Sequence, residues 1–154
     1  MAAEFTILGA GVAGLAMATE FTARGAKVQM IDPAGAPGDH ACSWWAGGML
    51  APECEGALTE PAIVHHGRAA ADWWEGHGAQ VIRNGTLVVA LGRDTSELRM
   101  FQRRVPAAEG LDASQIADLE PDLEGRFRQG LYLPNEAHLD PRATLAHLHC
   151  QLSG

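Results

Sequence analysis

Cysteine and positive charge are scarce in this chain, and each shortage excludes a class of protein. Its 154 residues include three cysteines, Cys42, Cys54 and Cys150, with no CxxC pair. An odd number without that spacing predicts neither a disulfide framework nor a zinc ribbon, and Cys42 and Cys54 are expected as small buried apolar residues. Lys and Arg number 11 against 19 Asp and Glu, a net charge of −8. This balance disfavours nucleic acid and anionic membranes as partners.

Long apolar runs and catalytic motifs are also lacking. No run approaches the roughly 20 residues of a membrane span, and no signal-peptide pattern opens the chain. We therefore expect a cytoplasmic protein with no membrane partner. His147 and His149 are two residues apart, so they cannot face one ion on a helix, and Ser43 has no GxSxG context. The sequence predicts no metal site and leaves the catalytic residues unknown.

Glycine, in contrast, is plentiful, and three glycines form a motif near the N-terminus. Residues 5–16 read as a buried strand, a tight turn and the start of a helix, with GxGxxG at Gly9, Gly11 and Gly14. Gly9 suits the turn, Gly11 lets a pyrophosphate approach the backbone, and Gly14 lets the helix pack closely on the strand. The first N–H groups of such a helix have no partner within it and can bind phosphate.

An acidic residue completes this motif. The apolar run 27–31 predicts a second strand, and Asp32 follows it. A carboxylate at this point can accept hydrogen bonds from an adenosine ribose and repels a ribose 2′-phosphate. The pattern predicts an adenine dinucleotide site and leaves both FAD and NAD open.

The rest of the chain alternates between helical and strand patterns. After a Pro- and Gly-rich loop, residues 46–53 combine small residues with flanking tryptophans, which suggests backbone laid against a flat group or a tightly packed loop. Downstream we predict a helix at 61–77, a hairpin at 80–91 turning at Asn84-Gly85, a helix at 94–108, a shorter helix capped by Ser114, a strand at 130–134 and a helix capped by Asp140 that ends near Leu152.

Four blocks together resemble the FAD-dependent D-amino-acid oxidase superfamily, most closely the glycine oxidases of thiamine biosynthesis. The blocks are the glycine motif with Asp32, the AGGMLAPE segment at 46–53, the RNGTLVVA strand at 83–90 and HLDPR at 138–142. The resemblance implies an α/β fold, with a Rossmann-like FAD-binding βαβ domain and the beginning of an interleaved α+β substrate domain. It divides the chain into 1–77 (FAD-binding), 78–135 (start of the substrate domain) and 136–154 (return helix).

The resemblance also implies a flavoprotein oxidoreductase. Such enzymes oxidise a small amino acid such as glycine or sarcosine by hydride transfer to FAD, and oxygen then yields hydrogen peroxide. The cofactor-binding residues carried over, or inferred from the motif, are Gly9, Gly11, Val12, Ala13, Gly14, Asp32, Pro33, Cys42, Ser43, Ala46, Gly47, Gly48, Met49 and Leu50. The family usually has a hydroxyl residue where Cys42 stands, and Ser43 is expected to supply that contact.

Length is the main departure from this family. Its members are more than twice as long, and their substrate-carboxylate residues fall beyond the position of Gly154. We therefore expect the 154-residue chain to bind FAD weakly, to lack activity alone and to self-associate or need a complementing C-terminal half. Two alternatives stay open: a non-catalytic or partner-dependent nucleotide-binding module, and an NAD-dependent dehydrogenase, against which the 46–53 block argues.

Overall fold

The computed structural model describes residues 2–153 and falls into two compact units. The first unit comprises Met1–Gly48, Trp73–Val81 and Leu139–Gly154, and the second comprises Met49–Asp72 and Ile82–His138. Compactness does not assign a function to either unit. The functional segments expected at 1–77, 78–135 and 136–154 therefore stay a prediction.

Helices and strands alternate along the chain. Their order is β1 (Glu4–Leu8), α1 (Val12–Ala23), β2 (Lys27–Ile31), β3 (Met49–Leu50), α2 (Pro52–Glu55), α3 (Pro61–Gly67), α4 (Ala70–Gly76), β4 (Val81–Ile82), β5 (Thr86–Val89), α5 (Thr95–Arg104), β6 (Glu109–Asp112), α6 (Ala113–Leu119), β7 (Gln129–Leu133), β8 (Ala137–Leu139) and α7 (Pro141–Leu152). Short 3₁₀ turns lie at Cys42–Trp45, Gly92–Asp94 and Pro121–Leu123.

The first unit opens with the predicted strand, helix and strand, and the structure confirms their order. The expectation that the first strand is buried is wrong, because four of the five residues of β1 are exposed. β1 and β2 pair in parallel, from Glu4 opposite Lys27 to Leu8 opposite Ile31. α1 connects them, as a parallel pair requires. This is the βαβ arrangement in which the carboxyl ends of both strands and the start of the helix meet at one edge.

A small apolar core holds α1 against α7. Leu15 and Leu148 are fully buried and Leu145 almost so, and Trp44 packs on this cluster. The predicted cap of α7 is confirmed, because the Asp140 carboxylate accepts hydrogen bonds from the N–H groups of Arg142 and Ala143. α7 is therefore anchored both at its start and along its buried face.

Two further small sheets are formed largely by residues of the second unit. One has the strand order β5-β7-β6 and is antiparallel throughout, with Leu131 and Leu133 of β7 in a core shared with Leu98 of α5. The other has the order β3-β8-β4, with Met49 opposite His138. The short strands β6 and β8 were not predicted: β6 lacks the alternating apolar pattern of a half-buried strand, and the three residues of β8 are too few to show one.

The predicted hairpin at 80–91 is wrong. β4 belongs to the sheet of β8, whereas β5 pairs with β7. A two-residue type I′ turn needs positive φ at both residues, and Gly85 has φ of +76° while no non-glycine residue within 2–153 has a positive value. The Asn84 carbonyl instead accepts the Tyr132 hydroxyl, and the Gly85 N–H donates to the Glu136 carbonyl. These contacts direct the two strands to different sheets.

Two predicted helices also need correction. The helix expected at 61–77 is broken between α3 and α4, next to Gly67, a residue with low helix propensity. The cap of α6 is Asp112 rather than Ser114: its carboxylate accepts the Gln115 N–H, and the Gln115 side chain accepts the Asp112 N–H. The helix expected at 94–108 is the shorter α5.

Two features are absent from residues 2–153. No helix in that range is long and apolar enough to cross a membrane. No group of three or more His, Cys, Asp or Glu residues in it is placed to hold a metal ion.

Candidate functional site

The glycine turn lies between the ends of the two parallel strands. The Gly9 N–H donates to the Ile31 carbonyl at 2.8 Å, which ties the turn to the end of β2. Gly9 has φ of +102°, in the region that favours glycine. A Cβ on Gly14 would overlap the carbonyl oxygen of Gly9 and lie 3.3 Å from Cγ2 of Ile7. Close packing of the helix on the strand therefore requires glycine at position 14.

The start of α1 presents backbone N–H groups without helical partners. The first helical hydrogen bond runs from the Leu15 N–H to the Gly11 carbonyl at 3.0 Å. The N–H groups of Val12, Ala13 and Gly14 thus precede any acceptor within the helix. Together with the helix dipole they favour an anion at this point.

Ser43 lies directly at this helix start. Its Oγ accepts the Val12 N–H at 3.2 Å, and a Cβ on Gly11 would meet the same oxygen at 3.3 Å. A serine hydroxyl also carries one proton that it can donate to a phosphate oxygen. The hydroxyl expected near the helix is therefore present at Ser43, one position after Cys42.

Asp32 is held at the end of β2 by backbone donors. Its Oδ2 accepts the Ala10 N–H at 2.8 Å, and its Oδ1 accepts the Ala34 N–H at 2.9 Å. Nε2 of His40 lies 3.5 Å from Oδ1. These hydrogen bonds, with a smaller contribution from His40, hold the pKa of the Asp32 carboxyl below its usual value. Asp32 is therefore a fixed carboxylate, and its oxygens can accept further hydrogen bonds.

The other predicted residues of this unit surround the same loops. Pro33 and Cys42 are exposed, and so are Ala46 and Gly47. The expectation that Cys42 is buried is wrong, because the 3₁₀ turn directs Trp44 rather than Cys42 into the core.

Gly48 is the last residue of this loop and, like Gly9, has a backbone conformation that favours glycine. Its φ is +71°, and a Cβ there would overlap the Leu139 carbonyl oxygen. The Leu139 N–H donates to the Gly48 carbonyl at 2.9 Å. Met49 and Leu50, the last two predicted contacts, form β3 of the second unit.

The pyrophosphate and ribose portions of a dinucleotide fit these features. Unpaired N–H groups stand at the helix start, Gly11 has no side chain there, and a fixed carboxylate lies at the end of the neighbouring strand.

The comparison with known proteins decides the family, because the profile described as "DAO: FAD dependent oxidoreductase" matches residues 4–153. The chain belongs to the FAD-dependent oxidoreductase family.

Individual relatives agree with this family. A thiamine biosynthesis oxidoreductase, ThiO, of Rhizobium etli is 54% identical over 144 residues, which cover 91% of this chain and 43% of the relative. The structure of glycine oxidase from Geobacillus kaustophilus superposes with a TM-score of 0.73 at 21% identity, over 96% of this chain and 44% of that one. L-α-glycerophosphate oxidase from Mycoplasma pneumoniae with FAD bound gives a TM-score of 0.74 at 18% identity, over 98% and 42%.

The likenesses to solved structures show the fold of this FAD-dependent oxidoreductase family. The chain spans less than half the length of the relatives that it matches.

Sequence reasoning missed three contributors to the candidate site. The Ala10 N–H and His40 both face Asp32, and Arg142 contacts the loop that carries Ser43. Arg142 falls in the HLDPR block that carried the family resemblance, so the sequence held a signal for it. Nothing in the pattern around His40 indicates its partner.

Proposed function

We propose that this chain is the FAD-binding part of a flavin-dependent oxidase that acts on a small amino acid such as glycine or sarcosine. The observation that carries the proposal is the start of α1, where unpaired N–H groups, the bare backbone of Gly11 and the Ser43 hydroxyl meet. This arrangement suits a diphosphate. Membership of the FAD-dependent oxidoreductase family supports FAD over NAD.

The proposed roles follow from the contacts of each group. The N–H groups of Ala13 and Gly14 donate to phosphate oxygens, and Ser43 donates its hydroxyl proton to the same group. Asp32 accepts hydrogen bonds from the ribose hydroxyls and disfavours a ribose 2′-phosphate by charge repulsion. When bound, FAD supplies the acceptor for two electrons from the amine, and this chain supplies binding and orientation.

The substrate and the catalytic step are proposed for a longer protein that contains this chain. The Geobacillus kaustophilus and Rhizobium etli relatives, whose names give glycine oxidase and thiamine biosynthesis, support a small amino acid as substrate. We propose that the groups which hold its carboxylate lie outside residues 1–154, and that a complementing segment or self-association supplies them. A cytoplasmic location stays a prediction.

Titration with two cofactors tests the proposal. The purified chain is titrated with FAD, followed by quenching of flavin fluorescence, and separately with NAD⁺, followed by calorimetry. We expect saturable binding of FAD and none of NAD⁺. Binding of NAD⁺ without FAD would favour a dehydrogenase and contradict the proposal.

Peroxide release then separates an oxidase from a non-catalytic module. We expect no hydrogen peroxide from the 154-residue chain with FAD and glycine, and release from a longer protein that contains it. A longer protein that binds FAD but releases no peroxide with glycine, sarcosine or larger D-amino acids would favour the module. Peroxide from the isolated chain would show that its own residues suffice for catalysis.

A further inference from the structure

Arg142, on the first turn of α7, makes three contacts with the loop that carries Ser43. Its Nε donates to the Trp44 carbonyl at 3.2 Å. Its guanidinium carbon lies 5.7 Å from the ring centroid of Trp44 and 5.0 Å from that of Trp45. Both distances are within the range of cation–π attraction. One side chain thus restrains the backbone and both indole rings of this loop.

The support behind Arg142 is rigid. Asp140 caps α7 at the N–H of Arg142 itself, and Leu145 and Leu148 fix the helix against Leu15 of α1. Trp44 packs on the same core cluster. The position of Arg142 relative to α1 is therefore set by buried contacts, although the arginine is exposed.

The loop that Arg142 contacts also contacts the start of α1. Ser43 immediately precedes Trp44, and its Oγ accepts the Val12 N–H. The carbonyl that accepts from Arg142 Nε therefore belongs to the residue next to the hydroxyl at the candidate phosphate site. Displacement of Trp44 would move Ser43 away from the helix start.

We propose that Arg142 is a positioning residue for the cofactor site: it holds the Trp44-Trp45 turn so that Ser43 stays at the start of α1. This inference rests on the proposed binding of FAD at that helix. The proposed role of Arg142 acts through Trp44 and Ser43 and requires no contact of its own with the cofactor. The restraint needs the planar guanidinium, because a lysine ammonium keeps the charge but cannot combine a fixed donor with stacking on two rings.

The test combines ¹⁹F NMR with FAD titration. The chain is labelled with 5-fluorotryptophan, and the resonances of its four tryptophans are assigned by single Trp→Phe substitutions. We expect Arg142→Lys to shift the Trp44 and Trp45 resonances and to leave those of Trp73 and Trp74 in place, which shows that the fold is intact. The dissociation constant for FAD should rise about tenfold, the scale on which one hydrogen bond and one cation–π contact act.

An arginine on α5 provides a matched control for Arg142→Lys, and two results would contradict the positioning role. Arg103→Lys makes the same change on the exposed face of α5 and should alter neither the spectrum nor the affinity. If Arg142→Lys shifts the Trp44 and Trp45 resonances but binds FAD as tightly as the wild type, the positioning role is overturned. Unshifted resonances would overturn it equally. Failure of the wild type to bind FAD would contradict the proposed function first, and with it any role for Arg142 at that site.

Discussion

Asp32 is a carboxylate whose two oxygens are both occupied by backbone donors. The Ala10 N–H and the Ala34 N–H stabilise its charged form, and they hold its pKa below the ordinary value near 3.8. Both donors flank the turns that shape the candidate site. The charge of Asp32 therefore contributes to the stability of these turns as well as to the recognition of a ribose.

Asp32→Asn tests this contribution through pH. A carboxyl whose pKa is lowered on folding stabilises the folded state above its unfolded pKa, and this stabilisation is lost as the pH falls through the folded pKa. We expect the wild type to exceed Asp32→Asn in free energy of unfolding at pH 7, and the difference to shrink as the pH falls below 3.8. Urea denaturation at several pH values measures it. A difference that stays constant down to pH 2 would contradict the assignment.

The thiol of Cys54 has a raised pKa, in contrast to the lowered pKa of the Asp32 carboxyl. Burial, and to a smaller extent the Glu136 carboxylate, raise the pKa of the Cys54 thiol to about 12. Glu136 is itself buried; its Oε1 accepts the Cys54 N–H at 2.8 Å, and its Oε2 has no partner among residues 2–153. Since only the thiolate is nucleophilic, we expect the half-buried Cys54 to react slowly.

Alkylation distinguishes the three cysteines. We expect iodoacetamide at pH 8 to modify the exposed Cys42 and Cys150 and to leave Cys54 unmodified in the folded chain. Peptide mass spectrometry reads out each site, and modification of Cys54 after unfolding in urea serves as the control. Rapid alkylation of Cys54 in the native chain would contradict the raised pKa of its thiol.

At the scale of single elements, the contact of α1 with β1 depends on the absence of one side chain. A methyl group on Gly14 would overlap the Gly9 carbonyl. Gly47, in contrast, has no heavy atom within 4 Å of such a group and no positive φ. The two glycines therefore form a matched pair for substitution.

Gly14→Ala should destabilise the chain, and Gly47→Ala should not. We expect Gly14→Ala to lower the free energy of unfolding by about 1–3 kcal/mol, the usual cost of overpacking. Gly47→Ala should change it by less than about 0.5 kcal/mol. Chemical denaturation followed by circular dichroism measures both. Equal stability of the two variants would mean that α1 does not pack closely on the turn at Gly9.

Sequence patterns predicted the elements that local chemistry determines. The βαβ opening follows from apolar runs, three glycines and Asp32, and α7 follows from Asp140 and Pro141. The prediction of a hairpin at Asn84-Gly85 was wrong because Tyr132 and Glu136, which are distant in sequence, bind the backbone of this turn and direct β4 and β5 to different sheets. In the site, Ser43 could be anticipated from the motif, whereas the contact of His40 with Asp32 depends on loop geometry that no local pattern encodes.

At the scale of the whole molecule, the parallel sheet of the first unit is small. Within residues 2–153, β1 and β2 form a two-stranded sheet. Apolar side chains along it are exposed, with Leu8 78% and Ile31 49% accessible. Two-stranded sheets are marginal in water, and free edges with apolar residues promote association.

This exposure predicts concentration-dependent self-association. We expect analytical ultracentrifugation of the chain to show oligomers at micromolar concentration, and Leu8→Thr to reduce them, since threonine keeps strand propensity and removes apolar surface. Leu58→Thr changes an equally exposed leucine, 86% accessible, in the second unit and should have little effect. A monodisperse monomer for the wild type at all concentrations would contradict the expectation.

We propose that a diphosphate of FAD lies against the bare backbone of Gly11. Gly11 has an extended conformation, with φ of −76°, that any residue can adopt, and a Cβ there meets only the Ser43 hydroxyl. The most direct measurement is the dissociation constant of FAD for wild type and Gly11→Val, with the fold of both checked by circular dichroism. We expect the folded variant to bind FAD at least about tenfold more weakly, because its methyl groups occupy the place of the phosphate. Unchanged affinity in a folded Gly11→Val chain would contradict it.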